Sequence, residues 1–336
     1  MWNLYKLLFF FSMIIGTLIA ISSYSWLSMW MGLEMNLLSI IPLMSKSENS
    51  YPAESALKYF ITQSLASSIL LLGILLSLNL KEFLLENFMF LNIILNSALL
   101  TKLGAAPFHA WFPEVMEGLN WNLSLIMLTW QKIAPMILIY YNFSMSVFFL
   151  IIILASAVLS GILGFNQTSF RKILAYSSIN HISWMLASMM HSQIIWLIYF
   201  CIYMIITFNI ISILKEFQIF YLNQLFNSMN FSKPMKFSFI LNFFSLGGLP
   251  PLLGFYPKWL VINNLVENNF FFLSILLIMF TLITLFFYLR LSFLTLMITF
   301  KETLIFNPKT MSFKIMWINF ISLSGLLICT LIFNFF

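Results

Sequence analysis

Aspartate is absent from this chain, and only 8% of its 336 residues are charged, against about 25% in ordinary soluble domains. The two cysteines, Cys201 and Cys329, lie in apolar runs without CxxC or Cys/His spacing, so neither an iron–sulfur cluster nor a zinc site is encoded and both read as packing residues. No GxxxxGK[ST] segment is present to cradle nucleotide phosphates, and no histidine pair is placed for haem. Long polar stretches are also missing, which leaves no room for a soluble domain. The net charge of +6 is spread along the chain in a way that reports membrane topology rather than nucleic-acid binding.

What is present is hydrocarbon: 62% of residues are hydrophobic and 18% aromatic. About 20 apolar residues cross a bilayer core, and segments of that length recur throughout. The expected fold is all-α: one polytopic transmembrane domain over 1–336 with eleven spans, at about 4–22, 24–44, 55–78, 88–112, 121–141, 146–165, 170–190, 193–214, 237–266, 270–289 and 313–334. The first has too long an apolar core, and lacks the A-x-A-like site, of a cleaved signal peptide, so it reads as a retained span.

If the N-terminus and every second connection share one side, that side carries twelve basic residues: Lys6, Lys46, Lys58, Arg171, Lys172, Lys215, Lys233, Lys236, Arg290, Lys301, Lys309 and Lys314. The other side carries only Lys81. This asymmetry puts the N-terminus on the matrix or cytoplasmic side and the C-terminus opposite.

Two spans break alike. The first reads Leu103-Gly104-Ala105-Ala106-Pro107 followed by Phe112-Pro113; the second reads Leu246-Gly247-Gly248-Leu249-Pro250-Pro251 followed by Gly254-Phe255-Tyr256-Pro257. Aligning Gly104 with Gly247 and Pro107 with Pro250 requires a one-residue slip before the second proline. Proline lacks an N–H, so carbonyls are freed inside the membrane, which is tolerated only within protein or beside a wet cavity. The fourth and ninth spans run in opposite directions, as in transporters built from inverted repeats. The first repeat is expected over about 4–141 and the second over about 146–289, with a C-terminal helix at about 313–334.

Four ionisable residues sit in these apolar spans: Glu34, Lys102, Lys132 and Lys258. A charge near the middle of a membrane helix costs roughly 2.5–3.5 kcal/mol on insertion scales. Lys132 is eleven residues from Trp121 and nine from Tyr141, too deep to reach either interface easily. A buried lysine whose surroundings disfavour its charge can exchange protons near neutral pH; the bland alternative is a fixed ion pair. Glu34 is equally central, and Lys102 and Lys132 are the cations at its depth. Lys258, eight residues from the end of its segment, either snorkels or faces the interior.

His181 is central in its span, one turn after Ser177, and is either a proton relay or an ordinary hydrogen-bonded histidine. His109 and His191 lie near span ends. Glu54, Lys58, Thr62 and Gln63 polarise the start of the third span, where they cap the helix at the interface or meet a neighbouring subunit. Glu114 and Glu117 open a short amphipathic piece after the first break. With no cofactor motif, the transported species is expected to be a proton or small cation, driven from outside the chain.

Several stretches together resemble the subunit 2 family of respiratory complex I, NADH:ubiquinone oxidoreductase: Gly32-Leu33-Glu34-Met35-Asn36, Lys102 through His109, Thr129-Trp130-Gln131-Lys132-Ile133-Ala134-Pro135, Arg171 through Ser178, and Gly247 through Leu252 with Pro257-Lys258-Trp259. They span about 30–260 in the family's order; beyond Lys301 the likeness is weak. The family belongs to the antiporter-like subunits, related to multisubunit sodium/proton antiporters with fourteen helices, and the eleven here resemble the mitochondrially encoded animal, insect-like form. A composition rich in Phe, Ile, Met and Asn fits an AT-rich genome.

The resemblance implies a proton-translocating channel in the mitochondrial inner membrane, coupled to electron transfer from NADH to ubiquinone. It makes Glu34 and Lys102 an interacting acid–base pair, Lys132 the central lysine and Lys258 the distal one. It also implies no redox site or cofactor in this chain, with NADH, FMN, iron–sulfur clusters and ubiquinone held elsewhere. The implied partners are a neighbouring antiporter-like subunit, a small subunit towards the quinone site, and membrane lipid, but no nucleic acid. A free-standing cation antiporter and a purely structural membrane-arm subunit are the competing functions.

Overall fold

A computed structural model describes residues 4–44, 50–79, 88–143, 146–229 and 233–297, together with Trp317, Asn319, Phe320 and Gly325. The described chain is helical and forms two compact units, Met1–Ile152 and Ile153–Phe336. Most of the helix expected over 313–334, and Cys329, lie outside the described residues.

The first unit contains α1 (Leu4–Ser22), α2 (Trp26–Met44), α3 (Ser50–Asn79), α4 (Phe88–Leu103), α5 (Trp111–Gly118), α6 (Trp121–Leu128) and α7 (Trp130–Tyr141). α1 and α2 pack backbone to backbone. A Cβ on Gly16 would sit 2.9 Å from the Asn36 amide nitrogen, and one on Gly32 2.5 Å from that of Ala20. Small residues permit this approach, which membrane helices use because lipid supplies no hydrophobic drive for their association.

α8 (Ser146–Gly164) contains the boundary between the units. The second unit continues with α9 (Phe170–Met189), α10 (Gln193–Phe217), α11 (Leu222–Met229), α12 (Lys233–Gly247), α13 (Phe255–Glu267) and α14 (Phe271–Met297). α9 is polar yet buried almost along its whole length. Its serines make this tolerable: Ser177, Ser178, Ser183 and Ser188 each donate to the carbonyl three residues back, at 2.6–2.8 Å.

By length and composition, seven helices among the described residues can cross a membrane, which does not reach the eleven expected. The shortfall arises partly where the sequence breaks a span in two, at α4/α5 and α12/α13. Elsewhere the expected pieces form: α5 carries Glu114 on its exposed side and buries Phe112, Pro113, Val115 and Met116. Cys201 departs from its packing role, because it lies on the outward stripe of α10 and is exposed.

The breaks follow one design in a register that the sequence alignment misplaced. Gly104, at φ 74°, and Gly248, at φ 79°, occupy the left-handed region that other residues rarely adopt. The N–H groups of Gly104 and Ala105 return to the Leu100 carbonyl at 3.0 and 3.1 Å; Gly248 returns to Ser245 at 3.0 Å and Leu249 to Phe244 at 3.2 Å. Gly104 therefore corresponds to Gly248, not to Gly247. The same offset of 144 positions relates Pro107 to Pro251 and Pro113 to Pro257, so the one-residue slip disappears. The peptide bonds before Pro107 and Pro251 are both cis.

Candidate functional site in the buried lysines

All three lysines of the apolar spans are buried. Lys102, Lys132 and Lys258 retain 8%, 2% and 6% of their accessible surface, which rules out snorkelling for Lys258. Each is tied to irregular backbone. Lys102 lies two residues before Gly104. Lys132 follows an interruption at Thr129, where φ is −117° and ψ −72°, and its N–H returns to the Thr129 carbonyl at 3.2 Å. Pro135, in the next turn, withholds a donor from the Gln131 carbonyl.

In the first unit, Lys102 and Lys132 line one cavity with Leu33, Asn36, Tyr59, Gln63, Phe112 and Gln131 among others. It offers about 20 Å³ to the centres of water molecules, and one water needs roughly 10–15 Å³. Two amides close one wall in a reciprocal pair. Asn36 Nδ2 donates to Gln131 Oε1 at 3.0 Å, and Gln131 Nε2 donates to Asn36 Oδ1 at 3.1 Å. Gln63 is not an interfacial cap: it is buried, and its Nε2 donates to the Lys102 carbonyl at 3.4 Å.

The first break also shapes this cavity. Trp111 Nε1 donates to the Thr101 carbonyl at 3.0 Å, folding α5 back onto the end of α4. That places Phe112 over Lys132, with the ammonium 5.8 Å from the ring centroid, within the range of a cation–π contact.

Glu34 is half-buried on α2. It does not approach Lys102 within 4 Å, so the two form no direct ion pair. Two ion pairs lie outside the cavity: Lys58 Nζ meets Glu54 at 3.1 Å and Glu114 at 3.0 Å, joining α3 to α5.

In the second unit, Lys258 Nζ donates to the carbonyls of Leu246 and Gly247 at 3.1 and 2.8 Å. These groups end α12, where the break has removed their helical donors. The ammonium also lies 5.8 Å from the Trp184 ring. Gly248 makes room: a Cβ there would come within 2.7 Å of Lys258 Cδ. One turn before Trp184, His181 Nδ1 is 2.9 Å from the Tyr199 hydroxyl, with the Tyr203 ring at 5.0 Å.

Asn36, Gln131, Tyr59, Tyr199 and Tyr203 join these sites without having been singled out in the sequence. The signal for the two amides was present, since a polar side chain deep in an apolar span requires a partner. Among the described residues no group of histidine, cysteine and glutamate is arranged to hold a metal.

Helices broken at glycine and proline, with lysines buried close to irregular backbone, define an antiporter-like membrane protein. Residues 23–286 match the family model described as NADH:quinone oxidoreductase/Mrp antiporter, TM. The chain is 48% identical to the NADH-ubiquinone oxidoreductase chain 2 of Anopheles gambiae over 97% of both chains, and 50% identical to that of Aedes aegypti over 97% of both. A chain in the structure of respiratory complex I from Thermus thermophilus with bound aureothin superposes with a TM-score of 0.84 at 22% identity, covering 97% of this chain and 77% of that one. The chain belongs to the NADH:quinone oxidoreductase/Mrp antiporter transmembrane family, among its NADH-ubiquinone oxidoreductase chain 2 members.

Proposed function

We propose that this chain is the antiporter-like proton-translocating subunit of the membrane arm of a mitochondrial complex I. In this reading Glu34, Lys102 and Lys132 form the proton-handling site of the first unit. Lys258, with His181 as a relay, forms that of the second. The observation that carries it is the cavity joining Lys102 to Lys132, with space for water and a wall of uncharged amides. A wet link between two buried lysines lets a proton pass between them, and the charge of Glu34 biases which one holds it.

The shared 144-residue offset supports reading about 4–141 and 146–289 as inverted repeats in one transmembrane domain. The basic asymmetry supports an N-terminus on the matrix side and a C-terminus on the intermembrane-space side. NADH, FMN, iron–sulfur clusters and ubiquinone belong to other subunits. A neighbouring antiporter-like subunit and a small subunit towards the quinone site convey the redox-driven change.

Lys132→Met in the assembled complex tests the proposal. Proton translocation per NADH oxidised should fall while the amount of assembled complex is retained. Translocation at the unaltered ratio would overturn the role of Lys132. Cation exchange by the purified, reconstituted chain alone would favour a free-standing antiporter.

A further inference from the structure

The reciprocal Asn36–Gln131 pair has a place in the proton path beyond filling space. Both side chains line the cavity shared by Lys102 and Lys132. Gln131 immediately precedes Lys132, in the first turn of α7. That turn is held weakly by its own helix: it begins at the Thr129 interruption, and Pro135 gives the Gln131 carbonyl no N–H. α2 is the opposite case, held against α1 by the close approach of Gly16 and Gly32. The two amides therefore connect a firm helix to the one whose first turn carries the central lysine.

Their chemistry suits positioning rather than transfer. An amide does not titrate in the physiological range, and here each uses a donor and an acceptor on the other at 3.0 and 3.1 Å. Breaking the pair would cost both amides a donor and an acceptor, and a cavity of about 20 Å³ holds too little water to replace all of them, so the pair resists drift of the turn. A comparable amide tether occurs in the second unit, where Asn180, 144 positions after Asn36, donates from Nδ2 to Thr284 Oγ1 of α14 at 3.3 Å.

We infer that Asn36 and Gln131 are positioning residues that clamp the first turn of α7 to α2, and so set the placement of Lys132 relative to Lys102 and Glu34. The inference rests on the proton-translocating reading above, and the test separates the two. Assembled complexes carrying Asn36→Leu, Gln131→Met, the exchanged pair Asn36→Gln with Gln131→Asn, and Lys132→Met are reconstituted in vesicles. Protons translocated per NADH oxidised are measured across a pH series.

Each single amide variant should lower the ratio several-fold and change its pH profile at normal assembly. The exchanged pair, which keeps both amides and their combined length, should recover most of the loss. Unaltered ratios and profiles in both single variants, or no recovery in the exchanged pair, would overturn the clamp. Lys132→Met pumping normally would instead overturn the reading on which it rests. Should the Leu or Met variant fail to accumulate, Asn36→Ser and Gln131→Ser, too short to span the gap, are judged by the same criteria.

Discussion

Lys258 and Gly247 meet across the second break: the lysine ammonium lies 2.8 Å from the glycine carbonyl oxygen and also binds that of Leu246. A helix end in a membrane leaves carbonyls that water cannot reach, and a buried lysine needs acceptors. Each solves the other's problem. The Lys258 ammonium is thereby coupled to the backbone geometry of the break, so a movement of α12 would alter how well its charge is accommodated.

Gly248→Ala should damage this arrangement. A non-glycine residue at φ 79° costs about 1–3 kcal/mol, and the new methyl would displace the lysine stem 2.7 Å away. Reduced thermal stability of the solubilised complex, together with impaired pumping, is the expected result. A variant unchanged in both would contradict the coupling of Lys258 to the break.

Glu34→Gln should leave assembly intact and alter the pH profile of coupled turnover. No ion pair within 4 Å joins Glu34 to Lys102, so the substitution removes a charge from the proposed site and breaks no contact between the two. Quantifying assembled complex on native gels beside turnover across pH checks both halves. Loss of assembly would indicate a structural role instead.

Gly32→Leu should prevent stable assembly, because the Cβ alone would sit 2.5 Å from the Ala20 nitrogen and the helices would have to separate. Gly161→Ala provides the contrast. Its Cβ would lie 3.4 Å from Ile283 Cγ2, an ordinary contact, and yields of complex should be near normal.

Glu114→Gln should change neither assembly nor proton translocation measurably. The Lys58 and Glu114 side chains are 42% and 56% exposed, where ion pairs are screened and contribute little. A pumping defect in this variant would move the functional site out to α3 and α5.

Much of the site was legible because its constraints are local. Lys102, Lys132 and Lys258 stand out in apolar runs by the cost of burying charge, and glycine with proline marks a break because one admits positive φ and the other lacks an N–H. The reciprocal partner of Asn36 was not legible. It is Gln131, 95 positions away, and nothing local to either residue selects the other.

The register of the repeated break shows the same limit. With two glycines and two prolines adjacent, composition permits either alignment, and only the hydrogen bonds of Gly248 and Leu249 back to Ser245 and Phe244 identify the glycine that turns. The outward face of Cys201 and the inward course of Gln63 were likewise set by helix rotation against neighbours.

By itself the sequence determined a polytopic helical membrane protein with broken spans and three lysines in apolar segments, because hydrophobicity, span length and proline chemistry act within a few residues of chain. Tertiary structure alone decided that Lys102 and Lys132 share one cavity, that Lys258 caps the end of its own broken helix, and that Glu34 forms no direct ion pair with Lys102. Those outcomes depend on which helix faces which, and so on packing between residues far apart in the chain.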